Sequence, residues 1–199
     1  MIRIGRQIPH FEQVDIHSIR ARFSDDRRFR YLLQMKYLDS LYDTGRNRKA
    51  AVILKNPSAA DQRAADTTIR KVETFIYHRL EDVQELAILN IFALRATDAA
   101  DLNREFERGE DVIGPDNDRM IGEVTAGADY VVVAWGSNSG IEGNLYRERV
   151  RKVKQLISRQ GAHRVFEVRR KQQTLQPLHG MMWGYGDQLV PYLKLKVEE

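Results

Sequence analysis

Three short, almost uninterrupted apolar runs, separated by segments of helical periodicity, constrain this chain more than any other feature. They are AAVIL (Ala50 to Leu54), LAILNIFAL (Leu86 to Leu94) and YVVVAW (Tyr130 to Trp135), and Ala162 to Val168 reads as a fourth strand. A strand with one wet face alternates apolar and polar residues, whereas a strand apolar throughout is covered on both faces, as parallel strands are. After Asp66, which reads as an N-cap, Ile69, Val72, Ile76 and Leu80 recur at helical spacing. Ala99 to Arg108 and Asn117 to Ala126 read as further helices, and Val150, Val153, Leu156 and Ile157 mark one face of another from Arg147 to Gln160. Strands alternating with helices predict an α/β fold, three-layer α/β/α around a central, mostly parallel sheet.

RYLLQMKYL (Arg30 to Leu38) reads as one more strand. The polar, irregular stretch before Asp26 suggests an N-terminal arm over residues 1–28, leaving 29–199 as a single domain, and the tail from Arg169, with Pro177, Gly180, Gly184 and Gly186, reads as loop. A chain of 199 residues has room for one such core. In a parallel sheet the ligand sits at the carboxyl ends of the strands. The unusual residues fall there: Asn56, Asn90, Gly136 and the stretch around His179.

Composition narrows the chemistry. There is no cysteine, hence no disulfide, thiolate metal site or cysteine nucleophile, which fits a reducing cytoplasm. No run approaches a membrane span, and the first residues lack an apolar core of signal-peptide length. The five histidines (10, 17, 78, 163 and 179) show no ligand spacing, and no P-loop or dinucleotide fingerprint is present, so neither metal nor nucleotide cofactor is expected. A net charge of +4 favours a polyanionic partner.

Four segments, in order, carry a resemblance. VILKNPS (Val52 to Ser58), LAILNIFALRATD (Leu86 to Asp98), VVVAWGS (Val131 to Ser137) and LHGMMW (Leu178 to Trp183) are similar to the motifs of the uracil-DNA glycosylase superfamily. The chain also resembles, over most of its length, a domain family of unknown function with Asn-Pro-Ser (Asn56 to Ser58), Asn-Ile-Phe-Ala-Leu-Arg-Ala-Thr (Asn90 to Thr97) and Gly-Pro-x-Asn-Asp (Gly114 to Asp118) segments. The first resemblance implies a DNA glycosylase that flips a base from DNA and hydrolyses its N-glycosidic bond, without cofactor and as a monomer. His179 precedes Gly180 and Met181 where glycosylases have Pro and Ser, and Asn56 stands where many have Asp.

That chemistry needs a placed water, a donor to the departing base and a base pocket. Asn56 would orient the water, the alternative being a cap on the turn before Pro57; Asp61 and Asp66 are acids that would lend base character or else cap turns. Asn90 would read the base edge or bond the adjacent loop. His179 would donate to the base oxygen or lie on the surface. Phe92 or Phe75 would stack on the base or fill the core. Met181 and Met182, with Trp183, would wedge into the vacated space or pack the tail. Lys55, Arg169, Arg170 and Lys171, and the cluster Arg46, Arg48 and Lys49, would contact phosphates or be solvated surface. The resemblance implies an aromatic residue after the motif Pro, closing the space beside C5 of the pyrimidine. Ser58 stands there, which suggests a 5-substituted pyrimidine, such as the glucosylated hydroxymethylcytosine of some bacterial viruses, and a role in antiviral defence. The rivals are a nucleoside or nucleotide hydrolase on the same scaffold and a non-catalytic reader of modified DNA.

Overall fold

A computed structural model describes residues 7–38, 45–58, 60–96, 99–159, 164–170 and 176–195. Its strands are β1 (Val14–Phe23), β2 (Arg30–Tyr37), β3 (Arg48–Leu54), β4 (Val83–Asn90), β5 (Tyr130–Val133), β6 (Val165–Arg169) and β7 (Gln188–Pro191). Its helices are α1 (Thr67–Arg79), α2 (Ala99–Glu107), α3 (Asn117–Ala126) and α4 (Gly143–Ser158). The strands form one sheet in the order β1-β2-β4-β3-β5-β6-β7. Pairings β4–β3, β3–β5 and β5–β6 are parallel, and the outer ones antiparallel. The three-layer α/β/α expectation holds.

The three apolar runs and the segment Val165 to Val168 lie in the four parallel strands, and both faces of the sheet are covered there. On one face Val52, Leu54, Leu86 and Ile88 pack with Ile69, Val72, Phe75 and Ile76 of α1. On the other, Ala51, Ile53, Leu89, Val131 and Val133 pack with Leu102 of α2, Met120 and Ile121 of α3, and Val153 and Ile157 of α4. Each fully buried aliphatic side chain contributes roughly 1.5–3 kcal/mol of transfer free energy. Asp66 does cap α1, its carboxylate accepting the Ile69 N–H at 2.8 Å. α4 starts earlier than its apolar stripe, because the Glu142 carboxylate accepts the Asn144 and Leu145 N–H groups.

Two expectations are corrected. Residues 1–6 of the expected arm lie outside the described residues, and residues 7–28 are not an irregular arm: β1 lies in the sheet, and Phe11, Val14 and Ile19 are buried in the core. A register shift between Asp15 and Arg20 breaks the period-two alternation by which a strand is recognised. The tail is not all loop, since β7 pairs antiparallel with β6.

The segment before β1 is locked to α1 by a buried pair. His10 Nδ1 lies 2.5 Å from Glu73 Oε1, and Glu73 Oε2 accepts the Phe11 N–H at 2.8 Å. Both His10 and Glu73 are buried, Glu73 completely.

Candidate active site

The two helical layers diverge beyond the carboxyl ends of β3 and β5, because β3 connects through α1 to one neighbour while its other neighbour, β5, is reached by way of α2 and α3. This is the switch point at which open α/β sheets bind ligands. A cleft of about 930 Å³ opens there, lined by Arg30, Leu54, Lys55, Asn56, Ser58, Asp66, Thr68, Ile69, Ala96, Asp101, Arg104, Ser137, Ser139, Gly140, His179, Met181 and Met182.

The segment after β3 sets the first group. Ala96 N–H donates to the Pro57 carbonyl at 2.9 Å, bringing the chain after β4 against the Asn-Pro turn. Asn56 Nδ2 then donates to the Ala96 carbonyl at 2.6 Å. With its amide NH₂ held by a carbonyl, Asn56 keeps Oδ1 as an acceptor for a ligand or water. Ser58 Oγ donates to Asp66 Oδ2, so the carboxylate both caps α1 and orients the serine.

The second group arrives from the far end of the chain. His179 sits against Gly136, whose φ is +72°. A Cβ at Gly136 would meet His179 Cβ at 2.9 Å, so only glycine in the left-handed region allows this approach. Tyr146 Oη holds the Gly136 carbonyl at 2.5 Å. Gly180 docks on Leu54 and Val72, where a Cβ would meet both at 2.9 Å. His179 Nδ1 accepts the Met181 N–H at 3.3 Å, capping the short turn Gly180–Met182. A neutral ring that accepts at Nδ1 carries its proton on Nε2, so Nε2–H is a donor.

Burial, reinforced by the nearby Lys55 ammonium, pulls the His179 pKa down to about 4, against a smaller opposing pull from Asp66. The ring is neutral at pH 7. Between pH 6.5 and about 4 the unfolded chain binds a proton that the folded chain does not, so stability is lost as pH falls through that window. The loss amounts to about 3 kcal/mol. We expect His179→Asn to be less acid-sensitive than wild type by that order in denaturant unfolding at pH 4 and 7. We also expect the wild-type His179 ring resonances not to titrate between pH 5 and 8; a midpoint near 6.5 would contradict the buried, neutral ring.

Two cations line the cleft with no carboxylate of the described residues within ion-pair distance. Lys55 is 8% exposed, and Nζ reaches only the Ser139 carbonyl, at 3.4 Å. Burial lowers its pKa. Arg30 is 1% exposed; one guanidinium nitrogen donates to the Ala60 carbonyl at 2.5 Å, and Nε has no partner. Burial brings its pKa down to about 10, partly offset by Asp66 and reinforced by Arg95. Arg104, also on the cleft wall, is paired with Asp101. Arg30, Arg104 and the Ser137 to Gly140 turn were not singled out from the sequence; the available signal was a guanidinium followed by the apolar Tyr31 to Leu33 at the start of a strand.

The structure thus brings together Asn56, His179, Asp66, Ser58, Lys55, Met181 and Met182. It separates other candidates from them. Asp61 caps its own turn, accepting the Arg63 and Ala64 N–H groups, and does not line the cleft. Phe92 is fully buried in the core, and Phe75 packs against Trp183 with ring centroids 4.8 Å apart and a tilt of 50°, so neither lines the cleft. Asn90 is fully buried, so the base-reading expectation is not met in this geometry. Strand alternation puts its side chain on the α1 face beside Leu54, beneath the cleft floor, and neither amide atom has a partner. Arg169 pairs with Glu167, and Arg170 pairs with Asp187 and the Met182 carbonyl, bracing the loop that carries His179. Lys171 lies outside the described residues. Arg46, Arg48 and Lys49 sit at the amino end of β3, about 20 Å from the cleft by strand rise. Met181 and Met182 are half exposed on the rim, whereas Trp183 is core.

The family match covers residues 30–179, which include the Asn-Pro-Ser turn, the Asn90 to Thr97 segment, the Gly114 to Asp118 segment and His179. The chain belongs to the DUF1643 family. That family is described as a protein of unknown function. No curated protein and no solved structure matches the chain. The DUF1643 region begins at Arg30 and ends at His179, both of which line the cleft. Among the described residues no group of three or more His, Cys, Asp or Glu is placed to hold a metal ion, and no helix is long and apolar enough to cross a membrane.

Proposed function

We propose that this protein is a DNA N-glycosylase related to the uracil-DNA glycosylases, which hydrolyses the bond between deoxyribose and a flipped, 5-substituted pyrimidine and leaves an abasic site. The observation that carries the reading is one cleft, at the switch point of the sheet, holding a preset acceptor and a preset neutral donor: Asn56 Oδ1 and His179 Nε2–H.

The two groups have complementary tasks. Asn56 Oδ1 accepts a hydrogen bond from water and aims its oxygen at the anomeric carbon. As the glycosidic bond breaks, its electron pair stays on the base, and negative charge develops on the base oxygen. His179 Nε2–H donates to that oxygen from a preset position. The water oxygen bonds to the anomeric carbon and releases a proton to solvent, and the departing base takes up a proton from solvent in turn. The Asp66 carboxylate on the same wall favours the positive charge growing on the sugar. Ser58 is small and turned toward Asp66, leaving room beside the pyrimidine C5 for a hydroxymethyl or glucosyl group. Met181 and Met182 on the rim are apolar side chains of the kind that fill the gap left by a flipped base. A base so modified marks viral DNA, and excising it would serve antiviral defence.

The test is base release, read by mass spectrometry, from DNA containing uracil, a thymine mismatch, 5-hydroxymethylcytosine or its glucosylated form. Release from the 5-substituted substrates is expected. Asn56→Ala should slow it by about 100-fold, the scale of losing one preorganised polar group. Binding to DNA with no base released from any substrate would replace this reading with that of a modified-DNA reader.

A further inference from the structure

We propose that the cleft holds a phosphate group of its substrate, with Lys55 and Arg30 as its anchors, so that the ligand is a nucleotide unit and not a nucleoside or free base. This deepens the glycosylase reading by locating the phosphate within the base-excision cleft.

Two cations that both line one cleft are nine-tenths or more buried, Lys55 at 8% and Arg30 at 1% exposure. Buried charges in proteins are ordinarily paired, because removing an ion from water costs several kcal/mol that only a counter-charge restores. Among the described residues neither makes an ion pair, and the attraction of Asp66 and Asp61 offsets the burial of Arg30 only in part. Lys55 Nζ has a single long bond to a neutral carbonyl, and Arg30 donates to one carbonyl while Nε is buried without a partner. The carboxylates on the same walls are otherwise engaged: Asp101 with Arg104, and Asp66 with Ser58 and the first turn of α1.

Burial lowers the pKa of both cations, the expected signature of charge held away from water without compensation. An anion entering the cleft would restore what each lacks. Beside Lys55, the exposed Ser137 and Ser139 and the left-handed Gly140 form a small-residue turn on the cleft wall, where nothing bulky blocks a tetrahedral group. A guanidinium and an ammonium differ in shape but both suit phosphate oxygens. A neutral nucleoside would leave both cations uncompensated.

The phosphate can come from a DNA phosphodiester or from the monoester of a free nucleotide, and the experiment separates them. Thermal unfolding is followed with sodium phosphate against sodium chloride at matched ionic strength, then with deoxycytidine, 5′-deoxycytidine monophosphate and a short single-stranded oligonucleotide. Phosphate and the monophosphate should raise the melting temperature, and deoxycytidine should not. Lys55→Met should weaken monophosphate binding by about 10- to 100-fold, the worth of a charged hydrogen bond. It should melt no lower than wild type without ligand, because it removes an uncompensated buried charge. Arg30→Met is the second arm. Displacement of the monophosphate by the oligonucleotide assigns the site to the DNA backbone; failure to displace it assigns the site to a free nucleotide. Equal binding of nucleoside and monophosphate, or phosphate protection undiminished in both variants, would overturn the inference. Phosphate binding without base release from any DNA would keep this inference and remove the glycosylase reading. Base release without phosphate discrimination would do the reverse.

Discussion

Replacing His179 with alanine is expected to slow base release by about 10²- to 10³-fold, the cost of deleting one preorganised donor to a developing anion. The loss should fall on the single-turnover rate, with DNA affinity changing little, since the donor acts only as the base becomes anionic. The expectation rests on tautomer and charge together. The Met181 N–H occupies Nδ1, and burial beside Lys55 keeps the ring neutral, so Nε2–H is the one ring donor offered to a ligand. His179→Gln keeps an N–H donor at similar reach and should recover part of the rate. Equal rates for wild type and His179→Ala would mean that the ring merely caps the Gly180–Met182 turn.

The second large effect is on stability. Glu73→Ala should destabilise the fold by about 3–5 kcal/mol, the scale for removing one partner of a buried pair. In a chain of this size that lowers the melting temperature by roughly 6–20 °C. Glu73 is fully buried and accepts from both His10 and the Phe11 N–H, so its loss leaves two groups stranded and loosens the segment leading into β1. The pair also has a pH signature. Burial opposes charge on His10, but the hydrogen bond and attraction of Glu73, with a smaller part from Asp61, outweigh it and raise the His10 pKa above its ordinary 6.5. Its contribution is therefore complete below pH 6.5 and is lost as pH rises through the raised value. His179 acts in the opposite sense below pH 6.5. Denaturant unfolding from pH 5 to 9 should show the alkaline decline in wild type and not in Glu73→Gln; the same decline in both would place its origin elsewhere.

Sequence alone determined the layers of this protein. Ala50 to Leu54 and Tyr130 to Val133 are apolar at every position, and a strand of that kind is stable only between two helical layers, a local pattern that needs no knowledge of partners. The α1 cap, the span of α3 and the convergence of Asn56, Ser58, Asp66 and His179 at the strand ends were legible for the same reason: short-range chemistry placed in a known chain order. Tertiary structure decided everything that depends on what lies across a gap. Arg30 reads as an ordinary basic residue, and Lys55 as one of several phosphate candidates, until burial without an ion pair sets the two apart. Asn90 and Phe92 have the residue types of a base pocket, yet the close packing of β4 against its neighbours encloses them. Arg170 has the charge of a phosphate contact, yet Asp187 from the following loop claims it. β1 was hidden because its register shift breaks the alternation, although its antiparallel partner β2 follows next in the chain. A residue's type limits what it can do, and its burial and partners, set by chain segments far away in sequence, decide which of those things it does.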